Sequence, residues 1–273
     1  MANEEHVSLL RKSVSSWNQW RTDHPDETPD LEDAVLAQTN LNQVNLSGAV
    51  LQNVKLVGAS LNEASFHKAR LIRANMSGVD LMNADLSDAD LTDADLLGAY
   101  LSGVNFARAT LIRTLMNRVD LTEADLSYAN LQEARLVGAD LSRANLTQSN
   151  LTGVDLSRAE LGRATLNGTN FTAANLSSAR LLGAELTQVI FDQVDLSGAR
   201  LNRADLNEAS LVGAKLHATS LLGAKLNRAN LQGADLSDTN LSGANLLEAN
   251  LEGVNLEGAI LSNAIMPDGS VHD

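Results

Sequence analysis

Cysteine is absent from all 273 residues. That excludes a disulfide framework, a thiolate nucleophile and any Cys-ligated metal, and it suits a reducing compartment. Aromatic residues make up only 3% of the chain and prolines number three, so any core must be built from aliphatic side chains. No apolar run approaches the roughly 20 residues of a membrane span. The start, Met1-Ala2-Asn3-Glu4-Glu5-His6, has neither the basic segment nor the apolar run of a secretory leader. The expectation is a soluble, cytoplasmic protein. Positive charge is also scarce: Lys and Arg total 20 against 34 for Asp and Glu, a formal charge of -14. This balance disfavours direct binding to nucleic acid or an anionic membrane and makes a cationic partner electrostatically easier.

What is present is a period. Every fifth residue from Leu31 to Met266 is large and apolar, 48 positions in all. They are Leu except for Phe66, Phe106, Phe171, Phe191, Met76, Met116 and Met266. Two residues before each of these centres, from Ala34 to Ala264, stands only Ala, Val, Thr or Ser. The residue just before a centre is often Asp or Asn, and the second residue after it is often Gly or Arg. In a helix, steps of about 500° would carry successive centres round every face. In a straight strand an odd period would put them on alternating faces. A chain that turns a corner once per five residues points every centre and every small residue inward, and four corners close a square coil. Stacked coils then pair as parallel strands about 4.8 Å apart, and Gly two residues after the centre suits the third position of a type II turn.

Runs such as Ala84-Asp85-Leu86-Ser87-Asp88 and Ala244-Asn245-Leu246 resemble the A(D/N)LXX signature of pentapeptide-repeat proteins, in unbroken register from residue 31 to 266. The resemblance implies an all-β fold, a right-handed quadrilateral parallel β-helix of about twelve coils at four centres per coil. At the strand spacing its length is roughly 55 Å. One five-residue unit cannot repay its own ordering entropy, so stability must come from stacking, and the ends are the weak points.

Residues 1–30 are read as an amphipathic capping helix and linker. Val7, Leu10, Val14 and Trp17 follow helical spacing and Trp20 lies a turn further on, with Pro25 and Pro29 ending the helix. A lid over the open first coil is the favoured reading, and a membrane-surface or partner-binding helix the alternative. The Trp17-Asn18-x-Trp20-Arg21 segment and the ending Met266 to Asp273 resemble cyanobacterial members of the family. In the tail, residues 267–273, either Val271 folds back over the last coil or two molecules meet end to end, so a monomer or an end-to-end dimer is expected.

No catalytic or cofactor-binding constellation is legible. Asp80, Asp85, Asp90 and Asp95 fall on four successive sides of the square and cannot converge on one ion, which leaves a solvated acidic belt. His67 and His217 fall in different columns, and His6, His24 and His272 lie outside the repeat, so no metal triad or Ser-His-Asp arrangement is visible. Residues twenty apart stack, so surface columns can be read directly. One runs Asp80, Tyr100, Asp120, Asp140, Glu160, Arg180, Arg200; its neighbour runs Glu123, Arg143, Arg163, Gly183, Arg203. The bland reading is a set of exposed ion-pair ladders. The sharper one is a docking face for a charged protein partner, built from Arg143, Arg163, Arg180, Arg200 and Arg203. Outward Val57, Ile72, Leu97, Ile112 and Val137 are read as the trace of a two-coil duplication.

The expected function is therefore non-enzymatic: a protein-protein interaction or regulatory scaffold presenting flat charged faces, with no cofactor and no metal. The family resemblance also raises DNA mimicry, as in relatives that protect DNA gyrase from quinolones. A 55 Å mimic at one charge per about 1.7 Å would need roughly thirty negatives, about twice the net charge here, and the basic columns interrupt it.

Overall fold

A computed structural model describes residues 2–273. The amino-terminal segment folds as two helices, α1 (Glu4–Lys12) and α2 (Val14–Asp23), where a single helix was expected. Ser13 is the reason. Its backbone is extended (φ -173°, ψ 151°) and its Oγ accepts the Ser16 N–H at 3.0 Å, so it ends α1 and caps α2. A one-residue break leaves the apolar spacing nearly intact, which hides it from a periodicity argument. Asn3 caps α1, with Glu4 and Glu5 in the first turn and Arg11 and Lys12 in the last, each complementing the helix dipole.

From Asp30 onward the chain coils. Parallel bridges join each residue before a centre to the residue twenty further on, 44 of them from Asp30–Val50 to Asn245–Ile265. Four bridges per interface give eleven interfaces between twelve coils. The N–H of a centre points to the next coil (Leu86 to the Asn105 carbonyl, 2.7 Å) and that of the preceding residue points back (Asp85 to the Ala64 carbonyl, 2.9 Å). The architecture is the right-handed quadrilateral β-helix.

Each corner is closed by a bond from the small residue to the preceding centre, as in Ala89 N–H to the Leu86 carbonyl at 3.1 Å. The second residue after the centre has positive φ at all 47 corners from Asp33 to Asn263, and 31 of these residues are not glycine. The geometry is that of a type II turn, and every non-glycine there bears a left-handed backbone penalty. Ala173 (φ 56°) and Gly183 (φ 64°) isolate that penalty, since a Cβ added at Gly183 would meet no atom within 4 Å. Ala173→Gly is expected to raise stability by about 0.5–1 kcal/mol and Gly183→Ala to lower it by a similar amount. Urea titration of the two variants checks the opposite signs.

The interior is filled by the centres, fully buried from Leu31 through Leu246, with Phe171 and Phe191 in ring contact at 5.0 Å. Hydroxyls that replace the small alanine are satisfied internally: Thr169, Thr219 and Thr239 each donate Oγ1 to a buried leucine carbonyl at 2.7 Å.

The helices replace the missing coil before the first. His6 Nδ1 accepts the backward-pointing Asp30 N–H at 3.0 Å, and Asn18 Oδ1 accepts that of Asn45 at 2.9 Å. Trp17 is wholly buried and donates Nε1–H to the Asn45 carbonyl at 2.7 Å, while Asn18 and Arg21 donate to the Gln43 and Ser47 carbonyls. Val7 and Leu10 are buried; Val14 and Trp20 are half-buried against the same core. An open sheet edge and an apolar end are thus covered together.

The other end differs. Val271 pairs antiparallel with Ile265, and His272 bonds Ala264 and Asn263, so the tail closes one side of the last coil. It does not fold over the apolar end: Val271 remains 62% exposed, and Leu251, Leu256, Leu261 and Met266 are only partly buried.

Candidate docking face

The acidic residues that precede the centres have a structural task. Asp80, Asp85, Asp90 and Asp95 each accept, through Oδ1, the N–H two residues on, at 2.9–3.3 Å, each on a different side of the square. Asparagines one coil later tie into the same oxygens, as Asn105 does to Asp85 and Asn145 to Asp125. This is the reason Asp and Asn recur there: the side chain organises the turn that follows. Among the described residues no three His, Asp or Glu side chains come together as a set that could hold a metal ion.

Ion pairs link residues twenty apart. Arg108 forms a two-pronged pair with Asp88 and Arg113 with Asp93, all at 2.7–2.8 Å. These bonds hold both carboxyls below the usual carboxylate range, and the Ser237 hydroxyl, followed by the Ser237 N–H, does the same for Asp235. A depressed folded-state value means that the stabilisation is complete above the unfolded value of about 3.9 and is lost as pH falls through the folded one. Thermal stability should therefore hold level from pH 7 to about 5 and decline below about 4. The Asp88→Asn/Asp93→Asn variant should show a shallower acid limb in melts across that range.

Two histidines repeat one arrangement. His67 Nδ1 lies 2.9 Å from Ser87 Oγ and 3.7 Å from Asp88, and His217 Nδ1 lies 3.0 Å from Ser237 Oγ and 3.7 Å from Asp238. Serine and aspartate share the same ring nitrogen. A catalytic triad needs them on opposite nitrogens, so no proton relay is built here. A groove of about 550 Å³ beside α2 is lined by Val14, Ser15, Asn18, Gln19, Thr22, Asn42 and Gln43. None of these is a carboxylate or imidazole that could act as general acid or base.

The five arginines singled out from the sequence share one side. Arg143 pairs with Glu123 (3.2 Å) and Arg180 with Glu160 (3.3 Å). Arg163, Arg200 and Arg203 are exposed and make no side-chain hydrogen bond or ion pair among the described residues. A shallow groove of about 340 Å³ on the same side is lined by Glu160, Gly162, Arg180, Leu182, Arg200 and Asn202, so that Arg200 is its one free guanidinium, and Leu182 is 57% exposed. Gly162 leaves the backbone bare in the lining of this groove. An exposed leucine with unpaired arginines in the coils on either side of it suits a surface that meets another surface.

The pentapeptide-repeat family model matches eight times, from residue 30 to residue 263. The chain belongs to the pentapeptide-repeat family. Among solved structures of the family, HetL, described as involved in heterocyst differentiation regulation in the cyanobacterium Nostoc sp. strain PCC 7120, is 36% identical over 86% of this chain and 92% of its own, with a TM-score of 0.33. A second pentapeptide repeat protein of Nostoc PCC 7120, alr5209, is 44% identical over 29% of this chain and 62% of its own (TM-score 0.21). QnrB1, a plasmid-mediated fluoroquinolone resistance protein, is 19% identical over 84% of this chain and 90% of its own (TM-score 0.28). No curated protein matches the chain. No helix among the described residues is long and apolar enough to cross a membrane.

Proposed function

We propose that this pentapeptide-repeat protein is a non-enzymatic scaffold for a regulatory or assembly interaction, and that it docks a protein partner through the side bearing Arg143, Arg163, Arg180, Arg200 and Arg203. One observation carries the reading: three arginines stand unpaired around an exposed Leu182 in a chain whose acidic residues outnumber its basic ones by 14. On the other sides Arg108, Arg113, Lys225 and Arg228 are taken up by carboxylates one coil away. Lys55, Lys68, Arg70, Arg73, Arg118, Arg135, Arg158 and Lys215 also have no ion pair among the described residues, so what supports this side is the grouping of its arginines next to exposed Leu182. Overall charge favours a cationic partner, but at this side the local field favours carboxylates around an aliphatic group. DNA mimicry is the weaker reading, because the aspartates before the centres are engaged in their own turns and the arginines interrupt the acidic columns. Catalysis finds no converging acid, base or nucleophile in either groove described above.

The test uses the protein immobilised in a lysate of its native cell, followed by cross-linking of whatever it retains. A partner cross-linked to this side, kept by the wild type and lost by Arg163→Glu/Arg200→Glu/Arg203→Glu at unchanged melting temperature, supports the reading. Retention unaffected by the triple variant, or cross-links confined to another side, overturns it.

A further inference from the structure

The same side is complementary to itself. It carries six acidic residues (Glu63, Asp80, Asp120, Glu123, Asp140, Glu160), all in the coils up to Leu161, and five arginines, all from Arg143 onward. A flat side can meet its own copy about a two-fold axis in only two ways. With the axis along the rod, coils stay level and the two columns exchange, which sets Arg200 against Arg203. With the axis across the rod, each column meets itself in reverse order, so an acidic half covers a basic half.

We propose that this side binds a second copy of the chain, antiparallel, about a two-fold axis across the rod at the coil of Leu161. The register follows from the coil count. Residues before the centre at equal distance from that coil pair as Asp140 with Arg180 and Asp120 with Arg200. In the neighbouring column Glu123 pairs with Arg203. Each pair occurs twice, giving six cross-copy ion pairs over five coils, a span of about 20 Å at the strand spacing. Asp120 and Asp140 use Oδ1 for their own turns, at 2.9 Å to the Thr122 and Ser142 N–H groups, which leaves Oδ2 available for a second donor. Gly162 lies at the axis, where the absence of a side chain allows close approach. Glu160 and Arg163 each meet their own counterpart there, as adjacent alternating charges.

With six acids against five arginines this side is close to neutral, so apposing it keeps most of the -14 facing away from the partner copy. Near-neutrality permits the contact without selecting the side, since the side of Lys55, Asp95, Arg118 and Arg135 also has six acids and five bases; only here are the two signs separated along the rod. The ion pairs are solvent-exposed and screened by salt, so the dimer is weak and reversible. It also covers Arg163, Arg200 and Arg203, which makes self-association and the proposed partner docking mutually exclusive. The proposal shares that face with the docking reading but needs no partner, and purified protein tests it alone.

Sedimentation equilibrium of the full chain up to several hundred micromolar should show a reversible monomer–dimer equilibrium. Arg203→Glu should weaken it at least about tenfold, and Glu123→Arg/Arg203→Glu should restore it to within about threefold, since the pair is rebuilt with its signs exchanged. Both positions are exposed and neither side chain bonds the backbone; because Glu123 also pairs with Arg143 of its own copy, Glu123→Arg alone serves as the control for that loss, and circular dichroism melts report that the variants fold. A wild type that stays monomeric throughout overturns the proposal. So does a dimer indifferent to Arg203→Glu, or a double variant no better than the single.

Discussion

Leu126→Ala is expected to destabilise the rod by about 2–5 kcal/mol, whereas Leu256→Ala in the last coil should cost about 1 kcal/mol. Leu126 is wholly buried and Leu256 only partly so. The large value reflects what the walls cannot do. The backbone around Leu126 is bonded to the coils on both sides, with Leu126 N–H to the Asn145 carbonyl at 2.7 Å and Asp125 N–H to the Val104 carbonyl at 2.9 Å. A cavity there cannot collapse without breaking those bonds, so the transfer and cavity terms add. The last coil has no coil beyond it and loses little. Urea unfolding of the two variants measures the difference, and equal costs would show that the interior is not a continuous stack.

The amino-terminal cap gives the second large effect. Trp17→Ala should cost about 3–5 kcal/mol, because it removes a fully buried ring and leaves the Asn45 carbonyl without the indole donor. Trp17→Phe keeps most of the apolar contact and gives up the hydrogen bond, so it should cost nearer 1–2 kcal/mol. The loss in Trp17→Ala should be accompanied by fraying from the amino-terminal coils, since solenoid coils depend on their neighbours. Limited proteolysis reads this directly: cleavage should move into residues 30–60 in Trp17→Ala and spare residues 120–200.

The repeat could be read without coordinates because a five-residue period with an obligatory small residue has one compact solution, and the columns of residues twenty apart followed from it. Arg143 with Glu123 and Arg180 with Glu160 sit in the columns expected of them. The turn position was legible too, although Gly alone understates it: the many Arg, Gln and Glu residues at positive φ show that the corner dictates the backbone and the side chain tolerates it. Other features left no periodic trace. A single extended Ser13 splits the helix without moving Val14 or Trp17 off the apolar stripe. His6 and Asn18 act as stand-ins for the carbonyls of a missing coil, a task that depends on the closed end and not on sequence spacing. The Asp and Asn preference before each centre was visible as a pattern, but its cause, an Oδ1 bonding the next turn, emerges only from the backbone path.

Rigid sides follow from this stacking, and the proposed docking face is only as fixed as the coils beneath it. Amide hydrogen exchange along the free chain tests that foundation most directly. The N–H groups of Leu86, Leu126 and Leu206, each bonded forward to the next coil, should exchange slowly, with Leu161 and Leu181 beneath the arginine side among the slow set. Those of Leu251, Leu256 and Leu261, which have no coil ahead of them, should exchange fast. Fast exchange through residues 86–206 would contradict the account.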